Sequence, residues 1–390
     1  MNFRICGRLA SAAFVSCLLE NSQTLAQNAY ITNQGSNTMS VINTETNTVT
    51  ATVPVGAGPY GVAVTPDDSK VYITNNGSNS VSVIETATNA VVATILVENG
   101  PIGVAVTPDG GKAYIANTSS ESVTIIDTAS NTVTGRIFVG DFHLATGVAV
   151  TPNGTKVYVT SLNSGGLFNV SAAVSVIDKA TNTVVTVLPG PSGESGIAPF
   201  GVAVTPDGSK VYVANRFSNT ISVINTATNA LAATIAVPLG GGEPTGVAVA
   251  PDGSKVYVTI AASGLVAVID TTTNTITATI PVGGIPFGVA INPEGSKAYV
   301  VNSRDNTVSV ISTATNTASA TIPVGFNPVA FGVFIQPAPR FAGTPGKRNC
   351  YDQSVSALAR QYRGLNAAAA DLGFSGVMAL QNAILAFCQA

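Results

Sequence analysis

Side chains able to do acid–base or nucleophilic chemistry are few in this sequence. His143 is its one histidine, which excludes a site built from several imidazoles and leaves a nucleophile–histidine pair with a single possible base. Ser195 and Glu194, in the stretch SGESG, could approach that base. The stretch is not, however, the strand-to-helix turn on which a hydrolase displays its serine. Arg216 adds a charge that could bind a small polar ligand, so an enzyme using His143, Glu194 and Arg216 is one reading. No CxxCH, no histidine pair and no GxGxxG following a strand marks a cofactor. No cofactor or metal is expected.

The elements that would position these groups come from a repeat. A unit of about 42 residues, GVAVTPDGSKVYVTNxxSNTVSVIDTATNTVVATIPVG, recurs along the chain. Its GVAV element begins at Gly61, Gly103, Gly147, Gly201, Gly246 and Gly288, and appears as GVFIQP at Gly332. A tyrosine strand follows the first six, at Tyr72, Tyr114, Tyr158, Tyr212, Tyr257 and Tyr299. Each unit holds four short apolar runs separated by Pro-Asp-Gly or Asn-Thr turn signals, which predicts a four-stranded antiparallel meander, strands A to D. The Pro-Asp-Gly turns lack the alternating carboxylates that a calcium loop requires.

The ends of the repeat region are complementary. AYITNQGSNTMSVINTETNTVTATVPVG near the N-terminus supplies strands B, C and D without an A, and the final GVFIQP supplies an A alone. Six whole units and this composite, numbered blade 1, predict an all-β, seven-bladed propeller. One C-terminal strand would close it against three N-terminal ones and leave no open edge around the ring. The strands AYITN, VYITN, AYIAN, VYVTS, VYVAN, VYVTI and AYVVN resemble the signature of the YVTN family of β-propeller repeats. The resemblance spans residues 28 to 337. It implies a seven-bladed ring and an exported or cell-surface protein, and it carries no catalytic residue with it. Seven-bladed lactonases and lyases resemble this ring in outline, but a shared fold does not transfer activity.

Loop lengths separate the two faces of such a ring. All A–B and C–D turns are six residues long. The B–C loop is five residues in six blades and twelve in blade 4, and the longest D–A path also follows blade 4. Irregularity thus falls on the B–C/D–A rim, where a rigid scaffold commonly builds its binding site. Less repetitive side chains gather there: Phe142, His143, Phe168, Glu194, Phe200, Arg216 and Phe217 near blades 3 to 5, then Glu243, Phe287, Arg304, Asp305 and Phe331. Aromatics with scattered charge suit a ligand or partner surface. The tyrosines of strand B, one per blade, are expected to pack between blades, with the lysine two positions earlier laid beside six of them.

The termini differ from the repeat. A charged start, a short apolar stretch and a small-residue end at Ala26 predict a signal peptide over residues 1–26, hence export to the periplasm, cell surface or medium. An N-terminal helix, or a lipid anchor on Cys17, are the alternatives. The propeller is assigned to 28–339, and a linker with a helical tail to 340–390. Val377, Leu380, Ile384 and Phe387 share one face of that tail. After export Cys350 and Cys388 are the remaining cysteines and are expected to pair. The mature chain carries 15 basic and 19 acidic side chains, a balance that points to no nucleic-acid partner. A monomer without a membrane span is expected, acting as a binding module on a protein or small ligand. A structural cell-surface protein is the third reading.

Overall fold

The computed structural model describes residues 27–140, 143–163, 173–189, 198–237, 242–337, 365 and 377–389. Residues Gln27–Arg340 form one compact unit of seven sheets around a common axis. Blade 2 is typical, with A at Pro59–Val64, B at Lys70–Asn75, C at Ser80–Glu85 and D at Ala90–Leu96. All pairings within the blades are antiparallel.

Burial follows position in the blade. Strand B is covered on both faces, and its tyrosines, from Tyr30 to Tyr299, are fully buried. Strand D is outermost, and its Thr-Val-Thr-Ala pattern lies largely in solvent. The core is therefore a set of seams between neighbouring blades. Tyr72, Val83 and Ile95 of blade 2, for instance, meet Val104 and Ile115 of blade 3. Each such aliphatic side chain contributes about 1.5–3 kcal/mol relative to exposure. Every D strand carries one extra residue opposite strand C, such as Thr50 between the pairs Val41–Ala51 and Ile42–Val49. Such a bulge twists an edge away from pairing with another chain.

The ring closes as the complementary ends predict. Strand β1 (Asn28–Asn33) lies against the segment around the closing strand Phe331–Val333 through antiparallel bridges Ala29–Ile335 and Asn33–Pro328. Tyr30 N donates to Phe334 O at 2.8 Å, Val329 N to Thr32 O at 2.9 Å and Gln336 N to Asn28 O at 2.9 Å. The closing strand also runs parallel to strand A of blade 2, Phe331 facing Gly61.

Most polar residues of the repeat serve the seams. The Tyr212 hydroxyl donates to Asn274 Oδ1 at 2.8 Å, in the C–D turn of the next blade. Tyr158 does the same to Asn229 at 2.9 Å, and Tyr299 to Asn47 at 3.0 Å across the closure. The preceding lysine reaches the same turn: Lys156 Nζ meets Thr226 O at 2.6 Å and Lys297 Nζ meets Thr44 O at 2.8 Å. The lysine thus binds the turn that the tyrosine binds, beyond lining the ring. These turns hold their asparagines in the left-handed region, at φ 54° for Asn47 and 49° for Asn229, which asparagine tolerates. The threonine of strand B takes Gly147 N onto Thr160 Oγ1 at 2.8 Å and donates to Phe200 O of the next blade at 2.6 Å. The asparagine after it bridges to strand C, as Asn75 Nδ2 does to Ser82 Oγ at 2.9 Å.

A separate helix, α1 (Val377–Gln389), buries Leu380 and Ile384 one turn apart, as the tail's apolar spacing predicts. Cys350 and the side chains of Phe387 and Cys388 fall outside the described residues, as does the segment 1–26. Among the described residues no helix is long and apolar enough to cross a membrane.

Candidate functional site

The glycine that opens each A strand sets the waist of the ring. A Cβ on Gly201 would stand 2.1 Å from Thr245 O, and one on Gly288 would stand 1.9 Å from Ala330 O. No side chain fits such an approach, so the A strands crowd together at this level. Only about 20 Å³ of open space remains between them.

Immediately above the waist, toward the B–C/D–A rim, the residue before each glycine points inward. In four blades it is aromatic. Tyr60, Phe200, Phe287 and Phe331 form one cluster, with Phe200 edge-on to Phe287 at 5.4 Å and tilted on Phe331 at 4.8 Å. Tyr60 meets Phe287 at 5.6 Å. Phe200, Phe287 and Phe331 are buried, together with Val329. This corrects the expectation that these phenylalanines form part of an open rim surface, because the rings plug the rim end of the channel. Burial pushes the Tyr60 hydroxyl well above its ordinary pKa, with the Arg216 charge acting in the opposite sense. An alternating pattern can show that a position faces inward, but convergence from four blades requires the closed ring.

Outside the plug the rim is stapled by asparagines. Asn37 Oδ1 accepts Gly58 N at 2.8 Å, Asn79 Oδ1 accepts Gly100 N at 2.9 Å, and Asn306 Oδ1 accepts Asn327 N at 2.7 Å. In this way the B–C loops of blades 1, 2 and 7 each hold the D–A loop beside them. At blade 5 the staple runs from Glu243 N to Asn219 Oδ1 at 2.8 Å. Glu243 then reaches Arg216, accepting from Nη2 at 3.0 Å and from Nε at 3.3 Å. The guanidinium lies 5.7 Å from the Phe217 ring centre, and Phe217 is 62% exposed. A carboxylate thus orients a cation over an aromatic ring that faces solvent.

Two backbone positions beside this group depart from the repeat. The residue before the rim proline is left-handed, and Gly58, Gly100 and Asn327 occupy that place in blades 1, 2 and 7. In blades 5 and 6 it is Glu243 at φ 57° and Ile285 at φ 51°. For a β-branched side chain this is a strained conformation, of order 1–3 kcal/mol. Ile285 is nevertheless 43% exposed, and Phe326 further round the rim is 65% exposed.

Of the other residues singled out from the sequence, His143 begins the A strand of blade 4, opposite Asn163. Its side chain lies outside the described residues, as do Phe142, Phe168, Glu194 and Ser195. Among the described residues no three of His, Cys, Asp and Glu come together as metal ligands. Below the waist the channel widens to a cavity of 420 Å³ toward the A–B turns, lined by strand A and the turn prolines.

Residues 148–280, about a third of the chain, match a family model described as "Lactonase, 7-bladed beta-propeller". A PE-PGRS family protein of Mycobacterium tuberculosis, PE_PGRS18, is 64% identical over 39 residues. Those residues are 10% of this chain, and the match spans 8% of that relative's length. Hydrazine synthase of Kuenenia stuttgartiensis superimposes with a TM-score of 0.66 at 25% identity, over 73% of this chain and 92% of the other. A functionally unknown protein from Desulfotomaculum acetoxidans gives 0.60 at 19% identity, over 79% and 100%. The family model describes a seven-bladed propeller, as this ring is, and its match centres on blades 4 to 6.

Proposed function

We propose that this protein is an exported, non-catalytic binding propeller that recognises a partner through the B–C/D–A rim. The observation that carries this reading is the departure of blades 5 and 6 from their own repeat. Glu243 and Ile285 stand where backbone preference calls for glycine or asparagine, and Glu243 holds Arg216 over the exposed Phe217. Backbone strain retained at an exposed position concentrates where a side chain is needed for something other than folding. Aromatic and arginine side chains are also the commonest anchors of protein interfaces. The targeting pattern of residues 1–26 supports a place in the cell envelope, and in the sequence the two longest connections of the repeat, in and after blade 4, are a B–C and a D–A connection.

The lactonase-family match gives a second reading, a small-ligand enzyme at the rim mouth of the channel. The aromatic plug weighs against it, because it fills the depression where such a substrate would sit.

Affinity capture from envelope extracts tests the first reading. Wild type is compared with Arg216→Ala/Phe217→Ser, with a variant whose residues 162–173 are cut to a five-residue loop, and with Asp252→Ala on the opposite face. A partner retained by Asp252→Ala and lost with the rim variants is the expected result. Equal capture by all four proteins would sink the rim hypothesis. Hydrolysis of a lactone panel by wild type, abolished by Arg216→Ala, would favour the enzyme.

A further inference from the structure

The lower half of the channel is a blind shaft. It is closed above by the glycine waist and the aromatic plug, and it opens between the A–B turns. Its wall is aliphatic, including Val204, Val249 and Ile291, with Pro66, Pro206 and Pro293 at the open end. A volume of 420 Å³ lies within the range of small-ligand cavities.

The charged residues that directly follow lining prolines are all acidic. Asp67, Asp207 and Glu294 each follow a lining proline directly. Gln336, itself in the lining, donates to Asp68 Oδ2 at 3.0 Å. No lysine or arginine is in the lining. Lysines of this face are engaged by neighbouring blades: Lys70 on Thr128 O, Lys156 on Thr226 O, Lys210 on Thr271 O and Lys297 on Thr44 O of the next blade, and Lys179 on Asp109 Oδ2 of the preceding one at 2.6 Å.

Glu294 accepts from Gln27 Nε2 and from Asn292 Nδ2, each at 2.8 Å, and the turn of Asp207 can be built without a charge. Asp207 Oδ1 accepts from Thr205 Oγ1 at 2.5 Å and from Ser209 N at 3.0 Å. Asn153, in the same turn of blade 4, accepts from Thr151 Oγ1 at 2.7 Å and Thr155 N at 3.1 Å with no charge. An uncharged acceptor suffices for the geometry of the turn in blade 4.

We infer that the shaft is a second binding site, opposite the rim, for a cationic amphiphile: an alkyl chain in the valine-lined channel and an ammonium head among the mouth carboxylates. Burial of each further methylene raises affinity about fourfold until the shaft is filled. The head adds an attraction that weakens with salt.

Isothermal titration of the full chain with octyl-, decyl- and dodecyltrimethylammonium, below their micelle concentrations, tests this. Tetramethylammonium and the matching alkyl sulfates are the controls. One molecule per chain is expected, with affinity rising with chain length, alkyl sulfates binding at least tenfold more weakly and tetramethylammonium not binding measurably. Asp207→Asn/Glu294→Gln should weaken the alkylammonium by about threefold or more and leave the sulfate unchanged or tighter. Val249→Trp, checked for its circular dichroism, should abolish the chain-length dependence. If that variant does not fold, the double variant alone decides. Absence of binding, several molecules per chain, equal affinity for alkyl sulfates or indifference to the double variant each overturns the inference.

Discussion

Gly201 and Gly111 sit in the same repeat and have opposite freedom. The first faces a carbonyl oxygen that a Cβ would meet at 2.1 Å, while around the second the nearest atom would be 3.5 Å away. Gly201→Ala is expected to cost about 3 kcal/mol or to prevent folding, whereas Gly111→Ala stays within about 0.5 kcal/mol of wild type in urea unfolding. Ile285→Gly should act in the other direction. Relief of the left-handed strain is worth about 1 kcal/mol of added stability, and on the binding reading it comes with weaker capture of the rim partner. Asp207 gives a pH signature. Hydrogen bonds from Thr205, then from Ser209, hold its pKa down to about 2. Its stabilisation is therefore complete above the unfolded value near 4 and is lost as pH falls through about 2. Acid unfolding between those limits should be less steep for Asp207→Asn, which keeps the turn as Asn153 does.

At the scale of elements, strand order was legible because each blade repeats one pattern of turns and apolar runs. Tyr212 was legible as a core residue for the same reason. Its hydroxyl partner, Asn274, was not, since nothing local to either residue couples a strand to a turn in the following unit. Phe200 and Phe287 read as rim aromatics because they adjoin variable loops. Their meeting with Tyr60 and Phe331 is set by ring closure, which sequence spacing does not encode. The closing strand can be tested directly. A chain ending at Pro328 loses the hydrogen bonds to β1 and the burial of Phe334 and Ile335. Compared with a chain ending at Arg340, it should be less stable by about 5 kcal/mol or more and unfold less cooperatively. Calorimetry of the two truncations checks this.

Taken as a whole, the molecule has two faces that share a ring and little else. The rim is variable, with an exposed cation–aromatic pair, and its end of the channel is plugged. The turn face is regular and acidic around an open aliphatic shaft. The bonds that the tyrosine, lysine and threonine of strand B make to another blade run to its successor, and the last of them, from Tyr299 and Lys297, lands on blade 1. One chain therefore behaves as a head-to-tail cyclic assembly of seven subunits, in which a repeated heterologous interface closes because its rotation divides the circle. Any A–B turn is then as good a place to begin as the natural break, which falls between strands A and B of blade 1. Joining Gln336 to Gln27 by a short linker and opening the chain between Gly208 and Ser209 should give a permuted protein with the same ring, and its far-ultraviolet circular dichroism should match that of the parent.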